Sequence, residues 1–138
     1  MSTFKVHILA ADRPFYEGQC ESIIVPTTLG QYGILPHHSN MIAAVVPGSM
    51  TYQVPGQERQ TAAVSAGLVK VENNEVLVLV DSAERPEEID VNRARREADQ
   101  AREAILQKKS IQEYRSAQAT LARAINRLRV KSQYDHQV

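Results

Sequence analysis

Residues 83–96 read A-E-R-P-E-E-I-D-V-N-R-A-R-R, and they divide the chain into two unlike parts. Short apolar runs broken by Gly and Pro precede this stretch, whereas the residues from Asp90 to Lys131 contain neither. Because Gly and Pro punctuate strands and break helices, their disappearance indicates a change of architecture. We therefore predict two domains, residues 1–84 and residues 85–138.

The charge of the chain is unevenly distributed between these two parts. Of the 138 residues, 43% are hydrophobic and 23% are charged, which is typical of a globular protein, and the formal net charge is zero. Residues 1–83 carry four basic and seven acidic side chains, a net charge of −3, and residues 84–138 carry twelve and nine, a net charge of +3. The second part is therefore the one expected to bind an anionic partner.

The cysteine content and the hydropathy pattern bear on the compartment. Cys20 is the single cysteine and has no partner for an internal disulfide, which favours a reducing compartment. The first residues lack the pattern of a signal peptide, and no apolar run approaches the roughly 18 residues of a membrane span. We expect membrane association only through a partner, without direct insertion.

The first part has about seven short apolar runs with turn signals between them, which predicts an antiparallel β-sandwich or flattened barrel. We read Arg13-Pro14 and Glu17-Gly18 as breaks between strands, and residues 27–32 as a loop. Asn73-Asn74 predicts a tight hairpin, since Asn tolerates positive φ. Residues 76–80 are apolar at every position, which predicts a strand covered on both faces.

Two motifs in this part invite a functional interpretation. His37 and His38 are adjacent, and adjacent side chains on an extended chain point to opposite faces. No Cys or acid nearby completes a ligand set, so we predict no metal site. Gly30 and Gly33 are interpreted as turn residues rather than as a phosphate-binding loop.

The second part predicts two helices. Asp90 is placed to cap a helix from Val91 to about Lys108, and the sequence Ser110-Ile-Gln-Glu113 matches a capping box that begins a second helix ending at about Val130. A short link makes the pair an antiparallel hairpin, so the predicted fold class is α+β. The predicted inward stripes are Ala94, Ala98, Ala101 and Ile105 on the first helix, and Tyr114, Ala117, Leu121, Ile125 and Leu128 on the second.

The first stripe is nearly all alanine, which removes little apolar surface from water. A fully buried Leu or Ile is worth roughly 1.5–3 kcal/mol, and these stripes contain few of them. The sequence therefore specifies the helices more firmly than their packing, as suits a movable element. A static hairpin remains the alternative.

An antiparallel hairpin brings the end of the second helix near the start of the first. Arg123 and Arg127 share one face and would approach Asp90, Arg93 and Ala94. Guanidinium groups match phosphate oxygens, and a small Ala leaves room for a flat ring, so the cluster suits a triphosphate. A solvated basic helix surface is the alternative reading.

The chain resembles the epsilon subunits of bacterial F-type ATP synthases over nearly its whole length. The similarity is carried by residues 30–38 (GQYGILPHH), 65–71 (SAGLVKV) and 76–84, and most specifically by Ile89-Asp-Val-Asn-Arg-Ala94. This last segment matches the I/L-D-x-x-R-A pattern of the ATP-binding members.

The resemblance implies a non-catalytic subunit of the rotor's central stalk, peripheral on the cytoplasmic face of the bacterial cell membrane. The first domain would contact the gamma subunit and the ring of c subunits in this proton-translocating complex. The hairpin would permit rotation when folded and inhibit ATP hydrolysis when extended toward the alpha and beta catalytic subunits. ATP would bind the folded hairpin as a regulatory ligand without being hydrolysed.

The resemblance also assigns residues. The implied ATP-binding residues are Glu84, Ile89, Asp90, Arg93, Ala94, Arg123 and Arg127. The basic residues expected to make inhibitory contacts are Arg115, Arg123, Arg127, Arg129 and Lys131. ATP-binding relatives carry a further Arg where this chain has Gln100, so the predicted site is weak; Asn40 also replaces a common Pro.

Three other possibilities stay open on the residues alone. A basic helical pair is compatible with nucleic-acid binding, but acids such as Glu97, Asp99 and Glu103 interleave with the arginines and no aromatic ladder is present. The interleaved acids and the missing aromatic ladder lead us to predict no nucleic-acid partner. We find no catalytic triad, metal-ligand spacing or phosphate loop, so we also predict that the chain is not an enzyme. An opened hairpin could also pair with a second copy, giving a dimer of the isolated subunit.

Overall fold

Ten strands form one sheet within the residues that the computed structural model describes, which are 2–107 and 110–137. In chain order they are β1 Phe4–Ala10, β2 Pro14–Cys20, β3 Ser22–Thr27, β4 Gly30–Ile34, β5 Met41–Val45, β6 Gly48–Gln53, β7 Gln60–Val64, β8 Gly67–Glu72, β9 Glu75–Val80 and β10 Ala83–Glu84. A 3-10 turn at Pro86–Glu88 and two helices, α1 Val91–Gln107 and α2 Ile111–Gln137, follow. The chain divides into two compact units, Met1–Arg85 and Pro86–Val138.

The sheet closes nearly into a sandwich or barrel, in the order β10-β7-β6-β3-β5-β8-β9-β1-β2 with β4 paired to β3. Its neighbours are antiparallel except β1 and β9, which run parallel with Val6 opposite Val76. Alternate side chains of these strands point inward, so Val6, Ile8 and Val78 are fully buried. The predicted fold class, a β-sandwich followed by two helices, is confirmed.

The β9 strand differs from its prediction. Val76, Val78 and Val80 are buried, but Leu77 is only half-buried and Leu79 is 38% exposed. The prediction of two covered faces is wrong because β9 belongs to a sheet with one face toward the core. An apolar residue at every position does not by itself require a second covering layer.

The predicted break at Arg13-Pro14 is confirmed, because β1 ends at Ala10 and Pro14 is the first residue of β2, whereas the predicted break at Glu17-Gly18 is wrong, because both residues lie inside β2. This strand pairs with β1 at the end of the sheet order, where Pro at the first position costs no ladder hydrogen bond. The predicted loop at 27–32 is also shorter than expected, since β4 begins at Gly30. The Asn73-Asn74 turn is confirmed, with φ values of 50° and 62°.

Both helices begin at the predicted caps. The Asp90 carboxylate accepts a hydrogen bond from the Arg93 backbone N–H at 3.0 Å, and the Ser110 hydroxyl accepts one from the Glu113 N–H at 3.0 Å. The predicted end of the first helix, about Lys108, lies outside the described residues. The second helix passes its predicted end near Val130, supported by an i,i+4 ion pair from Lys131 to Asp135 at 3.6 Å.

Small residues dominate the buried side of the two helices. We call the buried alanines of the two helices the alanine seam: Ala94, Ala98 and Ala101 of α1, and Ala117 and Ala124 of α2. Ile105 is only half-buried. The α1 stripe is thus confirmed for its three alanines.

The α2 stripe was partly wrong. Tyr114 and Ile125 are 38% and 42% exposed, whereas Ala124 and Val130 are buried. Alanine is buried where the two helices pack, because its small side chain lets their backbones approach closely. Ile125 follows Ala124 directly, so its side chain points about 100° away from that contact. Of the predicted stripe, Ala117 is buried and Leu121 and Leu128 are half-buried, so hydrophobicity was misleading at Tyr114 and Ile125.

Replacement of Gly67 by Ala should destabilise the sheet. A Cβ at this position would overlap the carbonyl oxygen of Leu79 on the neighbouring strand. We expect Gly67→Ala to lower the free energy of unfolding by about 1–3 kcal/mol, measured by urea denaturation followed by circular dichroism. Gly33→Ala is the matched control, because no described atom lies within 4 Å of the added Cβ there. Equal midpoints for the two variants would contradict this packing.

Candidate functional site

The candidate site is built at the start of α1. The side chain of Asp90 is engaged by the Arg93 backbone N–H, which fixes the first turn of the helix. The Arg93 side chain is 67% exposed and its Nε donates a hydrogen bond to Glu97 Oε1 at 3.1 Å. This i,i+4 pair lies on the helix surface, one turn along from the cap.

The second helix supplies another guanidinium to the same carboxylate. Arg127 Nη1 donates to Glu97 Oε2 at 3.3 Å, and the Arg127 side chain is only 16% exposed. Each carboxylate oxygen of Glu97 therefore accepts a hydrogen bond from one arginine, Oε1 from Arg93 of α1 and Oε2 from Arg127 of α2. We call this arrangement the Glu97 bridge. Two guanidiniums and one carboxylate leave a local charge of +1 where an anion would be attracted.

The bridge brings together two of the predicted site arginines, and the sequence reasoning missed its central residue. Glu97 was interpreted only as one of several acids that dilute the basic helix. Its position four residues after Arg93, between the buried Ala94 and Ala98, was the signal that could have identified it.

The other predicted ATP-binding residues lie in different settings. Arg123 is half-buried and its Nη2 donates to Thr120 Oγ1 at 3.3 Å on its own helix. Ile89 and Ala94 are buried, at 5% and 0% exposure. Glu84 lies in β10 opposite Ala63, within the first unit.

An open groove of about 430 Å³ runs between α1 and α2 beside the bridge. It is lined by Glu97, Gln100, Ala101, Ala104, Gln107, Glu113, Ser116, Ala117 and Thr120. Two of these residues are carboxylates and none is basic, so the groove itself suits neutral polar groups rather than phosphates. Gln100 is part of its wall.

The residues predicted to make inhibitory contacts are spread along α2. Arg115 is exposed near the beginning of the helix. Arg129 donates to Asn126 Oδ1 at 2.9 Å, and Lys131, besides its pair with Asp135, lies 5.7 Å from the ring centre of Tyr134. The four basic residues after Arg115 lie within two and a half turns of the helix: Arg123, Arg127, Arg129 and Lys131.

The first unit offers little chemistry among its described side chains. His38 Nε2 is 3.1 Å from the Tyr32 hydroxyl and His38 Nδ1 is 2.7 Å from the Ser39 carbonyl oxygen, so both ring nitrogens have protein partners. Cys20 is fully buried, and burial raises the pKa of its thiol. Burial likewise raises the pKa of Tyr16 to about 12. A buried, protonated thiol is a poor nucleophile.

Across residues 2–107 and 110–137, none of the helices has the length and apolar character that crossing a membrane requires. Over the same residues, no three His, Cys, Asp or Glu side chains converge as a metal site would need.

Two family models match successive parts of the chain. The model described as "ATP synthase, Delta/Epsilon chain, beta-sandwich domain" matches residues 3–86. The model described as "ATP synthase, Delta/Epsilon chain, long alpha-helix domain" matches residues 87–132.

Relatives and solved structures agree with these matches. The ATP synthase epsilon chain of Caldanaerobacter subterraneus subsp. tengcongensis is 42% identical over 133 residues, which are 96% of both chains. That of Ruminiclostridium cellulolyticum is 37% identical over 128 residues, 93% of this chain and 95% of the relative.

The fold is similar to that of a chain in the Euglena gracilis mitochondrial ATP synthase (OSCP/F1/c-ring), with a TM-score of 0.74 and 18% identity, covering 88% of this chain and 77% of that one. A chain of the Tetrahymena thermophila mitochondrial ATP synthase central stalk and c-ring gives a TM-score of 0.61 at 12% identity, covering 92% and 95%. At such identities the likeness concerns the fold alone. The family models and the relatives at 37% and 42% identity carry the assignment, and on their strength the chain belongs to the delta/epsilon chain family of ATP synthases.

Proposed function

We propose that this chain is a central-stalk subunit of an ATP synthase that also regulates ATP hydrolysis. Its sandwich would contact the gamma subunit and the c-subunit ring, on the cytoplasmic face of the bacterial cell membrane. Family membership and the fold of stalk-associated chains support the structural role. The regulatory role depends on the second unit, in which a hairpin of small buried residues changes between a folded and an extended state.

One observation carries the regulatory proposal: the Glu97 bridge joins arginines from different helices. Arg93 and Arg127 meet only while the hairpin is folded, so an anion that engages both binds the folded state alone. Such a ligand stabilises that state by about 2.7 kcal/mol at a hundredfold excess over its Kd. ATP, whose triphosphate matches the guanidinium forks, is the ligand we propose.

When ATP is scarce, the hairpin opens and the basic α2 helix becomes available to other subunits. The proposed contacts are with acidic surface on the alpha and beta catalytic subunits, through the basic residues between Arg115 and Lys131. Electrostatic attraction of this kind guides association and strengthens it moderately. Hydrolysis is inhibited in the extended state and released in the folded one.

Titration of the isolated chain with ATP tests the sensor role. We expect amide resonances of Asp90 and Arg93 to shift at millimolar ATP, because phosphate contacts change the first turn of α1. Arg127→Gln should weaken this response about tenfold or more, since it removes one charged hydrogen-bond donor. Arg115→Gln, on the same helix but far along it from the bridge, serves as the control. Unchanged spectra at millimolar ATP would remove ATP sensing from the proposal.

Introduction of an arginine at position 100 should strengthen nucleotide binding. This side chain lines the groove one turn after Glu97, so a guanidinium there would reach a ligand held at the bridge. We expect Gln100→Arg to lower the Kd for ATP about tenfold, measured by isothermal titration calorimetry. Gln133→Arg adds the same charge at an exposed position later on α2 and should have little effect. Equal gains from both variants would mean that only net charge matters.

The inhibitory contact is tested separately with residues outside the proposed nucleotide site. We expect the combined variant Arg115→Gln, Arg129→Gln and Lys131→Gln to weaken inhibition of ATP hydrolysis by the assembled complex. Exposed ion pairs contribute about 0.5 kcal/mol each, so the loss of three is roughly tenfold in the inhibitory equilibrium. The control removes three positive charges from α1, at Arg95, Arg96 and Arg102. Full inhibition by the α2 variant would refute the electrostatic account.

A further inference from the structure

We infer that Glu97 is an internal anion that occupies the arginines of the candidate site and competes there with phosphate. This inference rests on the proposed function, because it assumes that Arg93 and Arg127 receive the phosphates of a polyphosphate ligand. It goes beyond that proposal in assigning a role to a carboxylate and in predicting which residue limits the affinity of the site.

The Glu97 carboxylate accepts hydrogen bonds from arginines of both helices. Its two oxygens lie 3.1 Å from Arg93 Nε and 3.3 Å from Arg127 Nη1, so each oxygen is engaged by a different helix. A phosphate group that bridged the same two guanidiniums would present its oxygens to the same donors. Glu97 therefore stands where a phosphate would be most strongly bound.

Exposure determines which partner can give way. The Arg127 side chain is 16% exposed and that of Glu97 is 32% exposed, while the Arg93 side chain is 67% exposed. Arg127 is thus the most buried of the three side chains, and the carboxylate is partly accessible to water. An incoming phosphate can displace Glu97 into solvent without moving α2.

Two consequences follow for the hairpin. Without a ligand, Glu97 neutralises part of the repulsion between Arg93 and Arg127 and holds the folded state. With a ligand, the binding energy is reduced by the cost of breaking this bridge. Glu97 therefore makes the folded hairpin less dependent on the ligand and raises the concentration of polyphosphate needed to stabilise it further.

The test compares the full-length chain with Glu97→Gln, which keeps the side-chain size and removes the charge. The probe is inorganic tripolyphosphate, and ATP is titrated in parallel, both by calorimetry. We expect Glu97→Gln to bind tripolyphosphate about tenfold more tightly than the unmodified chain. Asp99→Asn is the matched control: it removes one negative charge from the same helix, where Asp99 pairs with Arg102 at 3.3 Å instead of joining the bridge.

Since removal of the bridge also loosens the hairpin, hydrogen exchange of the α1 amides is measured with and without tripolyphosphate. Tighter binding, or protection of Glu97→Gln by tripolyphosphate beyond that of Asp99→Asn, supports the inference. If Glu97→Gln shows neither effect, the inference is overturned, even when the unmodified chain binds ATP as proposed. If the unmodified chain fails to bind ATP while Glu97→Gln gains tripolyphosphate binding, the sensor role falls and the inference stands.

Discussion

The behaviour of the second unit depends on the small size of the side chains it buries. The alanine seam removes little surface from water, since burial of one methyl or methylene group is worth about 0.8 kcal/mol. The first unit instead buries side chains such as Phe4, Ile23 and Tyr52, each worth several times more. Both helices also have strong intrinsic propensity and satisfied N-caps, so they do not need each other to remain helical. Their pairing is therefore weaker than their secondary structure.

Where apolar packing is weak, a few polar contacts decide the equilibrium. In the Glu97 bridge, the bond that joins the helices is the charged hydrogen bond from Arg127 of α2 to Glu97 of α1, worth about 1.5–3 kcal/mol, whereas the exposed Arg93–Glu97 pair lies within α1 and contributes less. A ligand or a neighbouring subunit needs to supply only a similar free energy to shift the hairpin between its folded and extended conformations. The function we propose for this unit is therefore recognition of anions and acidic surfaces.

Local sequence signals made much of the fold predictable from the sequence. The fold class, the family and the non-catalytic character are confirmed, and so are the cap at Asp90 and the turn at Asn73, because each depends on neighbouring residues. The errors arose where tertiary context overrides local preference. Gly18 reads as a break but lies inside the edge strand β2, and Ile125 reads as core but is 42% exposed. The contact of Glu97 with Arg127 was missed because it depends on the register between the two helices.

Hydrogen exchange of the full-length chain, read by mass spectrometry with and without millimolar ATP, tests the central claim most directly. Weak pairing predicts that amides of α1 and α2 exchange much faster than those of the buried strands β1 and β9, and that ATP slows the helices while leaving these strands unchanged. If both helices were as well protected from exchange as the strands, with and without ATP, the hairpin would be a rigid part of the stalk. That result would contradict a hairpin that switches between two conformations.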